Sequence, residues 1–306
     1  MTLLDHEAPA AVPPAPRRPG WVGVGLMLSG ASSSQVGAAV GALAFPVIGP
    51  VGVVAVRQWI AATVLVVTVR PRVWRFTGHQ LRPVLALAGV FAVMNLTLYT
   101  AIDRVGLGLA ITLEFLGPLG VALVASRRRV DLACALTAAV GVVVLTRPQP
   151  STDYLGITVA LVAACCWAAY ILLNRTLGIR VPGVEASAAA ALFSSLAYVP
   201  VGIWWLSHHR PTPLSLACAA TAGLMSTALP MLTDMMALRR VPTQFFGLFM
   251  SVNPVLAALV GWVVLGQGQG RADWVGIALI VAANAAASAV PPRGARPRHA
   301  DPAAHT

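Results

Sequence analysis

The chain reads as a succession of apolar runs separated by short joints rich in arginine, proline and glycine. Ten runs approach the roughly 20 residues that a helix needs to cross a bilayer. They are Trp21–Phe45, Val51–Val69, Pro83–Ile102, Val105–Ala125, Val130–Thr146, Tyr154–Asn174, Val184–Leu206, Leu214–Leu238, Val241–Leu265 and Trp274–Val290. Continuous apolar stretches of this length predict helices, because the strands of a membrane barrel would alternate in segments of about ten. The joints leave no room for a separate soluble domain. The expected fold is therefore an all-α integral membrane protein with ten transmembrane helices.

The charged residues define an orientation. They make up 10% of the chain, against about 25% in soluble proteins. The net charge of +11 comes from arginine alone, since there is no lysine. These arginines sit between runs instead of forming one patch, so they act as topology signals, and no nucleic-acid partner is expected. With the N-terminus inside and one crossing per run, only Arg104, Arg147, Arg210 and Arg271 fall outside, and Arg57 lies within a run. This satisfies the positive-inside rule for a multi-pass protein of the cytoplasmic membrane with both termini cytoplasmic. Residues 1–19 form a Pro-rich cytoplasmic tail, and residues 291–306 a second, disordered one. The first run exceeds a signal-peptide core and is read as a retained helix. The four cysteines lie inside apolar runs with no metal or redox spacing, as small buried hydrophobes.

The two halves resemble each other. A shift of 136 residues lays Arg104-Val105 on Arg240-Val241, Pro118 on Pro254 and Ala122-Leu123-Val124 on Ala258-Leu259-Val260. Arg104 falls outside and Arg240 inside, so the halves form two inverted five-helix repeats, 20–147 and 148–290. Inverted repeats place a binding site near the midplane, where matching broken helices meet. Pro118 and Pro254 are the expected helix breaks.

Glu114 is the leading candidate for chemistry. It lies ten residues into the fourth run, about 15 Å along a helix, and hence near the middle of a hydrocarbon core about 30 Å thick. A charge there costs roughly 2.5–3.5 kcal/mol on insertion scales, and such acids are functional by default. Pro118, four residues later, removes the N–H that would pair with the Glu114 carbonyl. An acid and a freed carbonyl at one depth must face protein or water. The readings are a proton-coupling acid or a partner for an ammonium, against a neutral acid bonded to a neighbouring helix. Arg57 could bind a carboxylate, pair with Glu114, or bond backbone carbonyls. Asp234 could join the site or form a boundary ion pair with Arg239-Arg240. Asn95 with Tyr99, Trp167 with Tyr170 and Asn174, and Phe249 with Asn253 lie at helical spacing, as pocket lining or as interhelical packing. Ser32–Gln35 reads as polar glue between helices, and Gly37 with Gly41 as a close helix approach.

No nucleotide-binding, zinc or nucleophile-elbow motif is present, so no enzyme, metal or cofactor is expected. The stretches LAITLEFLGPLGVALVASRRRVD, MNLTLYTAI, CWAAYIL and RVPTQFFGLFMSVNPVLAALVGWVVLG resemble EamA-type members of the drug/metabolite transporter superfamily. Among these, the chain is most similar to the bacterial inner-membrane threonine/homoserine exporters. The resemblance implies ten helices in two inverted repeats and export of amino acids or related small metabolites, driven by the proton gradient without ATP. Two positions depart from that pattern. Asn253 stands where those exporters tend to carry an acid, and Leu265-Gly266-Gln267 stands where they tend to have LGE. The expected partners are a small-molecule substrate, protons and the lipid bilayer, and a homodimer is compatible with the pattern. A broad exporter of amphipathic compounds, using Trp167, Tyr170 and Phe249, and a non-transporting membrane scaffold or sensor are the alternatives.

Overall fold

The computed structural model describes residues 21–125, 129–146, 153–177, 183–238 and 249–289, and all regular structure within them is helical. The helices are α1 (Trp21–Ala42), α2 (Phe45–Val69), α3 (Gly78–Val105), α4 (Leu107–Glu114), α5 (Leu116–Ala125) and α6 (Arg129–Thr146). They continue as α7 (Tyr154–Leu177), α8 (Gly183–His209), α9 (Pro213–Gly223), α10 (Leu229–Leu238), α11 (Asn253–Leu265) and α12 (Arg271–Ala289). Five stretches are long and apolar enough to cross a membrane: Phe45–Val69, Gly78–Val105, Tyr154–Asn174, Glu185–His209 and Pro213–Asp234. Shorter apolar helices lie at Leu107–Val121, Ala133–Val144 and Asn253–Leu265. The two cytoplasmic tails expected from the sequence, the Arg127–Arg128 pair and Arg239-Arg240 lie outside the described residues.

Side-chain size separates inside from outside. Fully buried positions are dominated by alanine, as in Ala186 and the run Ala188–Ala190, while Leu136, Val143, Ile203, Trp204 and Val263 face outward. In lipid there is no hydrophobic drive between helices, so close van der Waals approach through small residues holds them together. Gly37 and Gly41 do this on α1: a Cβ on Gly37 would lie 2.5 Å from Ser226 Oγ, and one on Gly41 2.8 Å from Ala222 Cβ. Gly117 is tighter still, because its Cβ would lie 2.2 Å from the Ala164 carbonyl oxygen on α7. Gly117→Ala is therefore expected to push α5 off α7 and destabilise the protein by about 1–3 kcal/mol, read as a lower melting temperature in detergent.

The second, fourth and eighth runs, and the ninth at Ser251-Val252, depart from simple straight helices. A short helical turn from Phe45, with Pro46 in its first turn, precedes the run expected to start at Val51 and is merged with it in α2. Gly49 then adopts φ 63°, ψ 172° and bends the chain before Pro50. The carbonyl of Ile48 at this bend accepts a hydrogen bond from Trp205 Nε1 on α8, at 2.8 Å. The fourth run is two helices, α4 and α5, broken at Phe115. The eighth is interrupted by a π turn, Leu224–Ala228, between α9 and α10.

Neighbours pair across the two halves of the chain. α3 lies along α7, α2 along α8, α1 along α10, α4 along α11 and α6 along α12. Polar contacts also tie the halves together. Arg104 Nε meets Asp153 Oδ2 at 3.0 Å, and the N–H of Leu107 donates to Gln267 Oε1 at 2.9 Å. Asp153 also accepts from the Gly156 N–H at 2.8 Å. That N–H first, and the Arg104 guanidinium after it, hold the Asp153 carboxyl below the usual carboxylate range. A depressed pKa stabilises the fold fully above the unfolded value of about 3.9, and the contribution fades as pH falls through the folded value. Asp153→Asn is expected to lose this component from the acid limb of a melting-temperature profile and to leave the neutral and alkaline limbs in parallel with the parent.

Candidate substrate and proton site

A cavity of about 490 Å³ opens between α1, α2, α3, the α4–α5 break, α7, α8, the π turn with α10, and α11. Its size falls within the ~300–1,000 Å³ range of small-molecule sites. Glu114, Arg57, Asn95, Tyr99, Trp167, Tyr170, Asn253 and Asp234 all lie on its wall. Residues far apart in sequence thus converge on one hollow, with at least one contributed by each half.

Glu114 occupies the last turn of α4 and is 5% exposed. Phe115 follows at the break, still helical in φ and ψ, and its N–H bonds back to the Ile111 carbonyl. Pro118 lies within the first turn of α5, where a missing N–H is least costly. Pro254 holds the equivalent place at the start of α11, after the turn at Ser251-Val252. Each helix therefore breaks about three residues ahead of its proline. The ring of Phe115 meets Trp167 edge to face, with centroids 4.6 Å apart, and this closes the cavity beside the acid. Among the described residues no group hydrogen-bonds or forms an ion pair with the Glu114 carboxylate. Direct pairing of Arg57 with Glu114, one of the sequence readings, is absent.

Arg57 is instead held by α3. It is 6% exposed, its Nη1 donates to Asn95 Oδ1, and its Cζ lies 4.8 Å from the centroid of the Tyr99 ring. Asn95 is oriented for this task, because its Nδ2 donates to the Phe91 carbonyl one turn back, at 2.7 Å. Tyr99 is fixed in turn by Phe45, edge to face at 6.0 Å. The guanidinium is thus positioned on the cavity wall with Nε lacking a partner.

Asp234 lines the cavity from α10. The boundary pairing weighed for it involves Arg239-Arg240, outside the described residues. Tyr170 tilts against Phe91, with centroids 6.3 Å apart. Asn174, grouped with Tyr170 in the sequence, does not reach the cavity: its Nδ2 bonds the Tyr170 carbonyl at 3.0 Å, and its Oδ1 accepts from Ser187. Phe249 packs near Met27 and Ala237, away from the hollow. Of the three rings named for an amphipathic cargo, Trp167 and Tyr170 line the cavity and Phe249 is not among its lining residues.

The apolar pattern missed other wall residues. Gln35 and Ser34, read as glue on α1, line the cavity together with Ser226 and Thr227 of the π turn. They serve as glue as well: Ser33 Oγ donates to the Met225 carbonyl at 2.9 Å, and Ser226 Oγ to that of Ser34 at 3.1 Å. Gln35 Nε2 donates to Asn253 Oδ1 at 3.0 Å. A glutamine deep in an apolar helix was the available signal, since a buried amide needs partners.

Comparison with known proteins agrees with this architecture. Residues 154–288 match the EamA-like transporter family. The threonine/homoserine exporter RhtA of Escherichia coli K12 is 35% identical over 278 residues, covering 88% of this chain and 92% of the exporter. The threonine/homoserine exporter RhtA of Salmonella typhimurium LT2 is 35% identical over 276 residues, covering 87% and 91%. A solved crystal structure superposes with a TM-score of 0.59 at 21% identity, over 86% of this chain and 96% of the other. That likeness concerns the fold alone.

Proposed function

Because the chain belongs to the EamA-like transporter family, we propose that it exports small zwitterionic amino acids of the threonine and homoserine kind in exchange for protons. The observation that carries this reading is the cavity, lined by a buried acid, Glu114, and a buried guanidinium, Arg57, with no ion pair between them. A zwitterion needs both signs of charge. Its ammonium goes to Glu114, with Asp234 as a second acid, and its carboxylate goes to Arg57 beside Tyr99. Glu114 can hold either a proton or an ammonium, so the two displace each other, which is the elementary requirement of an exchanger.

Alternating access is the proposed motion, with repeats 20–147 and 148–290 rocking about the site. Ten spans are counted by taking α4 with α5 and α9 with α10 as one crossing each. The helix pairing supports the inverted repeat. Exchanging the halves turns the α3–α7 pair into the α1–α10 side of the bundle, and maps α2–α8, α4–α11 and α6–α12 onto themselves. The breaks at Phe115 and Ser251 also keep the 136-residue spacing found in the sequence. The arginine distribution favours cytoplasmic termini and a place in the cytoplasmic membrane.

The test is counterflow of labelled threonine and homoserine into proteoliposomes holding the purified protein, with and without a pH gradient. The expected result is saturable exchange that the gradient drives uphill. Exchange absent for every amino acid offered, in protein that remains folded, sinks the proposal.

A further inference from the structure

Among the described residues, four cavity-lining side chains carry a buried hydrogen-bonding atom with no partner. Arg57 Nε and Tyr99 Oη stand on the carboxylate side of the site proposed above, which leaves Gln35 Oε1 and Thr227 Oγ1. An unpaired buried polar group lowers stability, so one that faces a cavity points to a ligand that supplies the missing bond.

The orientation of Gln35 follows from a chain of donors. Asn253 Nδ2 is committed to the Met250 carbonyl at 3.0 Å, so Asn253 presents Oδ1. Gln35 must answer with Nε2, which it does at 3.0 Å. Its remaining atom is then an acceptor, Oε1. Thr227 differs from several helical threonines. Thr63, Thr97, Thr100, Thr112 and Thr158 each return the hydroxyl to the carbonyl four residues back. Thr227 does not, because it lies in the π turn Leu224–Ala228, where the carbonyl ladder is displaced. The bond from Ser226 to the Ser34 carbonyl fixes the residues preceding Thr227 and Gln35 side by side. An acceptor and a hydroxyl, each unmatched, therefore line the same cavity from α1 and from the π turn bonded to it.

We infer that Gln35 and Thr227 form a specificity corner that reads a hydroxyl on the cargo side chain. A hydroxyl is complementary to the pair, since it donates one hydrogen bond and accepts another: it would donate to Gln35 Oε1 and accept from Thr227 Oγ1. A methyl in its place leaves both atoms unpaired, and sites built to bond a hydroxyl reject its apolar isostere on that ground. This inference rests on the amino-acid reading above and adds the side-chain class to it.

The experiment compares isosteres in counterflow: threonine against valine, and homoserine against norvaline, for the parent, Gln35→Leu and Thr227→Val. The parent is expected to prefer each hydroxy amino acid by at least about tenfold. Both variants should bring the ratio to within about twofold. Thr227→Val keeps the side-chain shape and decides the matter if Gln35→Leu, which also strips Asn253 of a partner, fails to fold. A parent that exchanges threonine and valine equally overturns the inference and leaves the amino-acid reading standing. A folded Thr227→Val variant with the parental ratio overturns it too, as does a Gln35→Leu variant that loses both substrates alike beside such a Thr227→Val. A parent that exchanges no amino acid removes both.

Discussion

Glu114→Gln is expected to lower pH-gradient-driven threonine efflux from proteoliposomes to the rate measured without a gradient. The amide keeps the shape of the side chain but cannot take up and release a proton at the cavity wall. It also offers the cargo ammonium an ordinary hydrogen bond in place of a charge-assisted one. The difference is of order 1 kcal/mol or more, so the half-saturating concentration for gradient-independent exchange should rise at least about tenfold. Stability should move the other way or stay level, because no protein group bonds the carboxylate among the described residues and a midplane acid costs roughly 2.5–3.5 kcal/mol on insertion scales. A melting temperature no lower than the parent, together with a lost gradient response, would separate function from folding. A folded variant with a normal gradient response removes Glu114 from the coupling role and passes it to Asp234.

The second large effect is expected at Arg57. Its guanidinium reaches Asn95 through Nη1, lies over Tyr99 and keeps Nε unpaired. A lysine can supply the charge but not this division of labour, because an ammonium has neither the planar fork nor the same affinity for the ring face. Arg57→Lys should raise the half-saturating concentration for threonine about tenfold or more, with a smaller change in maximal rate, as loss of uniform binding does. Arg57→Met should go further and also leave Asn95 Oδ1 unpaired, at about 1–3 kcal/mol of stability. The discriminating measurement is competition by threoninamide, which lacks the carboxylate. The parent should favour threonine over the amide by at least about tenfold, and both variants should lose that preference. A folded variant that retains it shows that Arg57 holds α2 to α3 and does not meet the cargo.

Charged residues inside apolar runs were the legible part of this site. Glu114, Arg57 and Asp234 are conspicuous because lipid excludes them, and that exclusion alone predicts that they turn toward one interior. The prolines at 118 and 254 pointed to broken helices, although the breaks fall earlier, at Phe115 and Ser251, since a proline is accommodated inside a first turn. Gln35, Ser226 and Thr227 were far less legible. Serine, threonine and glutamine have the same composition whether they bond their own helix or face a hollow, and the choice is made by a π turn that no apolar period encodes. Helical spacing left Asn174 and Phe249 open between pocket lining and packing, and packing holds for both: Ser187 bonds the first and Met27 lies near the second. The bend in α2 was hidden because Gly49 and Pro50 resemble an ordinary joint between runs, until Trp205 is seen bonding the Ile48 carbonyl.

The contact between Gln267 and the Leu107 N–H joins a loop of the second half to the start of α4 in the first. Any swing that parts the halves on that face has to undo it. An amide there is a milder latch than a carboxylate, because the positive end of a helix favours full negative charge by roughly 0.3–1 kcal/mol. It is also blind to acidity. The clasp can therefore spring open and re-form with the same ease at any pH, unlike one built on a titrating carboxylate.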